Sequence, residues 1–215
     1  YRTDPQWVFG FPEYSLGQRE KIQKARRVTN PGCYACGAIA ILHPLIVSGI
    51  ITEDYPVTVN AVSGYSGGGK KLISEFENKN AGDKSDTSFY HYALNLKHKH
   101  TEEMRVHSGL KNPPLFVPSV GRFARGMIVS VPLHLWLLPS GPKLTDVHYA
   151  LSEYYSDQQF VVVEGLEISN EGEPESVLNY NVTRSYPPLS PPFLTTGGGP
   201  DVFGYFWSDS DINEE

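Results

Sequence analysis

Apolar residues recur along the chain in short blocks of differing period, and those periods predict its elements. Val57 to Val62 (Val-Thr-Val-Asn-Ala-Val) alternates apolar and polar positions as a half-buried strand does. Ala35 to Ser48 is apolar almost without break and has the length of a buried helix, which Pro44 should kink. Gln18 to Arg27 reads as a short surface helix, Lys70 to Asn78 as a helix start and Leu144 to Tyr155 as a further helix. Leu115 to Pro118 and Met127 to Leu138 are strand-like, with Gly121 to Gly126 turning between them, and Phe160 to Val163 reads as another buried strand. Strands and helices that interleave irregularly favour an α+β layer on one mixed sheet over an all-β sandwich. No internal repeat is present. From about Glu171 onward the sequence is Pro- and Gly-rich, as in Tyr186-Pro-Pro-Leu-Ser-Pro-Pro-Phe193, and residues 171 to 215 are expected to be a weakly structured tail.

A chain of 215 residues with 40% hydrophobic content can bury one substantial core, and composition alone permits one or two domains. No apolar run reaches about 18 residues, and the start, Tyr1-Arg-Thr-Asp-Pro-Gln-Trp7, has neither a basic stretch nor an apolar signal core, so a soluble, cytoplasmic protein is expected. The chain does not begin with Met and opens as if inside a strand or loop, so a preceding segment is expected. Of the net charge of −6, residues 164 to 215 carry ten acidic groups and one basic group. The remainder, with 14 acidic and 17 basic groups, is mildly basic. That balance suits a small phosphorylated ligand and lacks the concentrated cationic footprint of a nucleic-acid binder.

Cys33 and Cys36 are the only cysteines, too few for a disulfide framework. No spacing of the His residues completes a four-ligand zinc site with them, and no metal is expected. Val28 to Gly32 must be loop, and it delivers Cys33 to the start of the apolar helix. There, unpaired N–H groups and the positive end of the helix dipole favour thiolate over thiol. Cys33 is therefore a candidate nucleophile, with burial as a small apolar side chain as the plain alternative. The spacing Cys33-Tyr-Ala-Cys36 also suits a dithiol redox site, although Pro precedes the first Cys and no strand stands close before it. Gly64-Tyr-Ser-Gly-Gly-Gly-Lys70 approaches a nucleotide phosphate loop, but Lys71 stands where a hydroxyl is needed. An anion-facing loop and a ligand-free turn both remain open there. His98-Lys-His-Thr-Glu102 gathers two imidazoles, a cation and a carboxylate, which serves proton transfer if it is not simply a solvated charged run from Lys97 to Arg105.

Taken in order, these segments resemble the catalytic half of N-acetyl-gamma-glutamyl-phosphate reductases. Trp7-Val-Phe-Gly-Phe-Pro-Glu13 is similar to that family's W/V-Y-G-L-P-E stretch, Asn30-Pro-Gly-Cys-Tyr34 to its nucleophile motif, and Ser63-Gly-Tyr-Ser-Gly-Gly-Gly69 to its S-G-x-S-G-A-G loop. Tyr92, His98, His100 and Glu102 fall at the spacing of its Tyr and H-R-H-x-P-E segment, and Val117 to Met127 resembles its R-G strand entry. The resemblance covers residues 1 to about 165.

It implies NADPH-dependent reduction of an acyl phosphate in arginine biosynthesis, on a fold like the C-terminal domain of glyceraldehyde-3-phosphate dehydrogenase. Cys33 would form a thioester and His98 would be general acid and base. Tyr92, His100 and Arg125 would contact substrate, and Ser63, Gly64, Ser66 and Gly67 would lie near NADP(H). Residues 1 to 27 would close a cofactor domain and linker, 28 to 170 would form the catalytic and oligomerisation domain, and a homodimer or homotetramer is implied.

The chain departs from the family in four respects. The dinucleotide-binding domain has no counterpart, Cys36 stands where Thr is common, and Glu102-Glu103 replaces Pro-Glu. After about Ser176 the family's motifs are absent. The sister reaction on aminoadipate phosphate, a noncatalytic phosphate-binding remnant and a nucleotide-hydrolysing phosphate loop at Lys70 are the alternatives.

Overall fold

The structure is a computed structural model that describes residues 2–77 and 87–166, together with the backbone of two strands, 177–181 and 201–207. In chain order the elements are α1 (Gln18–Lys24), α2 (Cys33–Val47), β1 (Thr58–Gly64), α3 (Gly69–Glu77), β2 (Phe89–His91), α4 (Lys99–Ser108), β3 (Leu115–Gly121), β4 (Met127–His134), α5 (Leu144–Tyr154), β5 (Val162–Val163), β6 (Val177–Asn181) and β7 (Asp201–Trp207). Short 3-10 turns at Tyr65–Gly68 and Leu135–Leu137 follow β1 and β4.

The strands form one mixed sheet in the order β2-β3-β1-β4-β7-β6-β5. β1 runs parallel to β3 and antiparallel to β4, with Ala61 opposite both Pro118 and Val129. In β4, which read as strand-like, side chains alternate between a buried row of Met127, Val129, Val131 and Leu133 and an outward row of Ile128, Ser130 and Pro132. α2 lies against the inward face at β4, with α4 and α5 packed on α2 in turn. It is apolar around its whole circumference because it has neighbours on every side, and its small residues Ala35, Gly37, Ala38 and Ala40 let them approach closely.

Pro44 sits inside α2 and has no N–H to give the carbonyl of Ala40 one turn earlier. The buried hydroxyl of Tyr155, just past α5, donates to that carbonyl at 2.7 Å and replaces the missing bond. Ahead of α2, Val8 bridges Val28 in parallel, and Phe9 and Phe11 enter the same core as α2, Phe9 stacked on His107 with ring centroids 3.7 Å apart. Gly10 has to be glycine at this crossing, since a β-carbon there would stand 2.0 Å from the carbonyl oxygen of Thr29.

Two expectations from the sequence are corrected, and one alternative is excluded. Phe160 to Val163 is not a buried strand: only Val162 and Val163 are strand, and Val162 is 41% exposed while Val161 is buried. The charged stretch from Lys97 to Arg105 is no solvated face, because α4 turns His100, Glu103 and Met104 inward. Within the stretch expected to be weakly structured, Val177–Asn181 and Asp201–Trp207 pair with each other in parallel, and the latter pairs with β4. Residues 182–200, which include the Pro-rich run, lie outside the described residues.

Candidate active site

Gly32 is the N-cap of α2 and Cys33 its first helical residue. Gly32 is fixed from two sides: its N–H donates to Oε1 of the buried Glu103 at 2.8 Å, and its α-carbon lies against the His100 ring. A β-carbon on Gly32 would stand 2.3 Å from His100 Nε2 and 2.8 Å from Glu103 Oε2, so only glycine fits between the nucleophile turn and α4. Glu103 Oε2 faces Arg2 Nη1 at 3.5 Å, while Arg2 Nε donates to the carbonyl of Asn30 at 3.0 Å. One carboxylate thereby ties the turn before Cys33 to α4 and to Arg2. The carboxylate in question is Glu103, where the spacing pointed to Glu102; Glu102 is exposed and pairs with Arg105 at 2.6 Å. An amphipathic helix through Lys99 decides the register, because positions 100, 103 and 104 share its inward face.

Cys33 opens on a cavity of about 390 Å³ together with Arg2, Tyr34, Ser63, Gly67, Tyr92, His98, Lys99 and His100. Burial pushes the Cys33 thiol up, while the backbone N–H groups of Tyr34 and Cys33 and the charges of Lys99 and Arg2 pull it down. The helix terminus acts in the direction expected from the sequence, but loss of water around the sulfur outweighs it in this chain.

His98 is the N-cap of α4, and its Nδ1 accepts the N–H of His100 at 3.1 Å. That bond keeps the ring proton of the neutral imidazole on Nε2. Burial first, and Lys99 second, hold His98 below the ordinary histidine range. His98 is thus a hydrogen-bond donor at the cavity, with Tyr92, Phe116 and His100 packed around its ring at centroid distances of 5.8, 5.2 and 4.6 Å. His100 is almost fully buried, and burial, aided by the charges of His98, Arg2 and Lys99, lowers it to about 3, so it is neutral at physiological pH. The Tyr34 hydroxyl donates to the carbonyl of Ser119 at 3.1 Å and is hydrogen-bonded to the Ser63 hydroxyl at 2.7 Å, bracing the nucleophile helix against β1 and β3.

The structure therefore gathers Cys33, His98, His100, Tyr92, Ser63 and Gly67 at one cavity. It does not bring Gly64, Ser66 or Arg125 there. The N–H groups of Gly64, Tyr65 and Ser66 donate to the carbonyls of Gly126, Phe123 and Ala124, at 2.8, 3.0 and 3.1 Å. Those amides are consumed by the loop between β3 and β4, so they cannot cradle an anion as the glycine-rich sequence suggested. Gly64 is glycine because a β-carbon would stand 2.5 Å from the Ala124 carbonyl oxygen. Arg125 and Lys70 are exposed, which also leaves the phosphate-loop reading without its cradle. The cavity takes its positive charge from Arg2 and Lys99 instead. Lys99 had a signal in the sequence as the residue between the two His, but Arg2 had none, since nothing local links it to Cys33. Among the described residues no cluster of His, Cys, Asp and Glu could hold a metal, and no helix is long and apolar enough to cross a membrane.

A family model described as semialdehyde dehydrogenase, dimerisation domain, matches residues 33–184. N-acetyl-gamma-glutamyl-phosphate reductase 2 of a Nostoc species is 50% identical over 166 residues, 76% of this chain and 52% of that protein. The reductase of the same name from Brucella ovis is 51% identical over 169 residues, 79% of this chain and 54% of that one. The chain spans about half the length of the curated relatives it matches. The fold is similar to that of aspartate semialdehyde dehydrogenase II from Vibrio cholerae, at 11% identity and a TM-score of 0.54 over 79% of this chain and 60% of that one. The matched residues begin at Cys33 and take in the cavity lining other than Arg2 and Gly32 and the strands β1 to β6, and the chain belongs to the semialdehyde dehydrogenase family through its dimerisation domain.

Proposed function

We propose that this chain carries the nucleophile of an NADPH-dependent reductase that converts N-acetyl-gamma-glutamyl phosphate to N-acetylglutamate semialdehyde and phosphate. The observation that carries the reading is a single thiol at the first residue of a buried helix, in a cavity whose cations are Arg2 and Lys99. Support comes also from relatives at 50 and 51% identity that bear the reductase name.

In this reading Arg2 and Lys99 bind the acyl phosphate. The Cys33 sulfur attacks the acyl carbon, the carbon–oxygen bond to phosphate breaks, and the released phosphate carries off the thiol proton. The N–H groups at the start of α2 and the Nε2–H of His98 supply the donors that stabilise negative charge on the acyl oxygen. When bound, NADPH supplies a hydride to the acyl carbon. The carbon–sulfur bond of Cys33 then breaks, which releases the aldehyde and leaves a thiolate that takes a proton from water to restore the thiol.

The cavity wall at Gly67 suits the flat nicotinamide end, because even a methyl there would meet nothing nearer than Ser63 Oγ, at 3.6 Å. The remainder of a dinucleotide has no matching cradle among the described residues. Assembly as a homo-oligomer in the cytoplasm completes the reading, in keeping with the dimerisation domain matched.

The test is acylation of the chain itself. N-acetyl-gamma-glutamyl phosphate should add an N-acetylglutamyl mass to Cys33 by peptide mass spectrometry, and hydroxylamine should remove it. Equal labelling of the Cys33→Ser chain would overturn the assignment.

A further inference from the structure

Cys36 has no part in that chemistry, yet it lies one helical turn from the nucleophile. Both cysteines are half-buried, neither is in a disulfide, and both pack at the rim of the core. Helix geometry puts Cα atoms three residues apart at about 5 Å. That separation falls within the range a disulfide spans, roughly 4.4 to 6.8 Å, so the backbone need not open to join them. Side chains at this spacing have Cβ atoms roughly 5–6 Å apart, about an ångström or more beyond what the bond needs, and the first turn has to tighten.

The first turn is also where tightening is easiest. Cys33, Tyr34 and Ala35 have no carbonyl one turn earlier in the helix to receive their N–H groups, and the first helical bond is Cys36 N–H to the Gly32 carbonyl, at 2.9 Å. That bond alone spans Cys33, so a shift in the Cys33 torsions strains a single bond. Deeper in α2 the same change would break the hydrogen-bond ladder.

We propose that Cys33 and Cys36 form a reversible disulfide, a modification site that shields the nucleophile during oxidation and switches off its acylation. Peroxide reaches Cys33 first, because Cys33 is the cysteine that lines the cavity. The Cys33 thiolate attacks one oxygen of hydrogen peroxide, the oxygen–oxygen bond breaks, and a sulfenic acid and hydroxide result. The Cys36 sulfur then attacks the Cys33 sulfur, its proton leaves with the hydroxyl as water, and the disulfide closes. A dithiol reductant returns both electrons and restores the two thiols. Without Cys36, further peroxide takes Cys33 to sulfinic acid, which a dithiol does not reverse. The modification depends on the two thiols alone, and only its consequence for acylation rests on the proposed reaction.

Trypsin leaves both cysteines in one peptide, residues 28–70, because no Lys or Arg intervenes. After hydrogen peroxide treatment of the whole chain, that peptide should lose the mass of two hydrogens and all iodoacetamide labelling, and dithiothreitol should restore both. In Cys36→Ser the peptide should gain two oxygens, and its labelling should not return. A wild-type chain that over-oxidises as Cys36→Ser does, or that links only between chains, would overturn the proposal. The readout is covalent mass, so it stands even if the chain proves unable to accept an acyl phosphate.

Discussion

Glu103 Oε1 accepts the N–H of Gly32 at 2.8 Å, so a carboxylate 71 positions away in the chain sets the backbone on which the nucleophile stands. A buried N–H that loses its acceptor costs about 1–3 kcal/mol. Glu103→Ala should lower stability to urea by that amount or more, whereas Glu103→Gln, which keeps an acceptor oxygen of the same reach, should recover a large part of it. Equal losses in the two variants would mean that Glu103 acts by filling space and not through this bond.

His98 has two separable duties, capping α4 through Nδ1 and presenting Nε2–H to the cavity. Asn is a good N-cap and Ala a poor one, a difference of about 1 kcal/mol. His98→Asn should therefore keep the stability of the parent chain where His98→Ala loses about that much. Both variants should slow acylation of Cys33, by on the order of 100-fold if the ring donates to the acyl oxygen. Normal acylation in His98→Asn would remove the ring from the chemistry and leave only the cap.

Burial, with the charges of His98, Arg2 and Lys99, holds His100 at about 3 in the folded chain, against an ordinary value of 6.5. Between those values the unfolded chain binds a proton there that the folded chain does not, so stability should fall as pH drops through that window. The slope from one such group is at most about 1.4 kcal/mol per pH unit. Unfolding midpoints in urea from pH 7 to pH 4 should show a shallower decline in His100→Phe than in the parent. An unchanged slope would place the acid sensitivity in His43 and His107, which burial also lowers.

Pro44 and Tyr155 should behave as a coupled pair. Removing the hydroxyl in Tyr155→Phe leaves the Ala40 carbonyl buried without its donor, at a cost of about 1–3 kcal/mol. In a Pro44→Ala background the new N–H can reach that carbonyl along the helix, and the same change should cost less. A double-mutant cycle with no coupling would show that the carbonyl is satisfied in some other way.

Much of this was legible in the sequence. The helix that Cys33 leads into, the alternation of β1, the strand β4 and the break at Gly121 to Gly126 follow from local periods and turn residues, which neighbours in the chain enforce on one another. The motif around Cys33 and the two histidines also pointed to residues that share a cavity. In the glycine-rich stretch the sequence did not separate two uses of glycine, which is needed equally where a backbone meets a ligand and where it meets another backbone. At Gly64 it meets the loop carbonyls.

The sequence by itself determined the helices α1, α2, α3 and α5, the strands β1, β3 and β4, and which thiol begins a helix, because those properties depend on residues within a turn or two of each other. Only the tertiary structure decided that Arg2 and Lys99 supply the cavity's charge, that Glu103 and not Glu102 is the buried carboxylate, and that burial outweighs the helix terminus at Cys33. Charge and solvation act through space, and their balance is set by groups that the chain brings together from Arg2, Gly32 and α4.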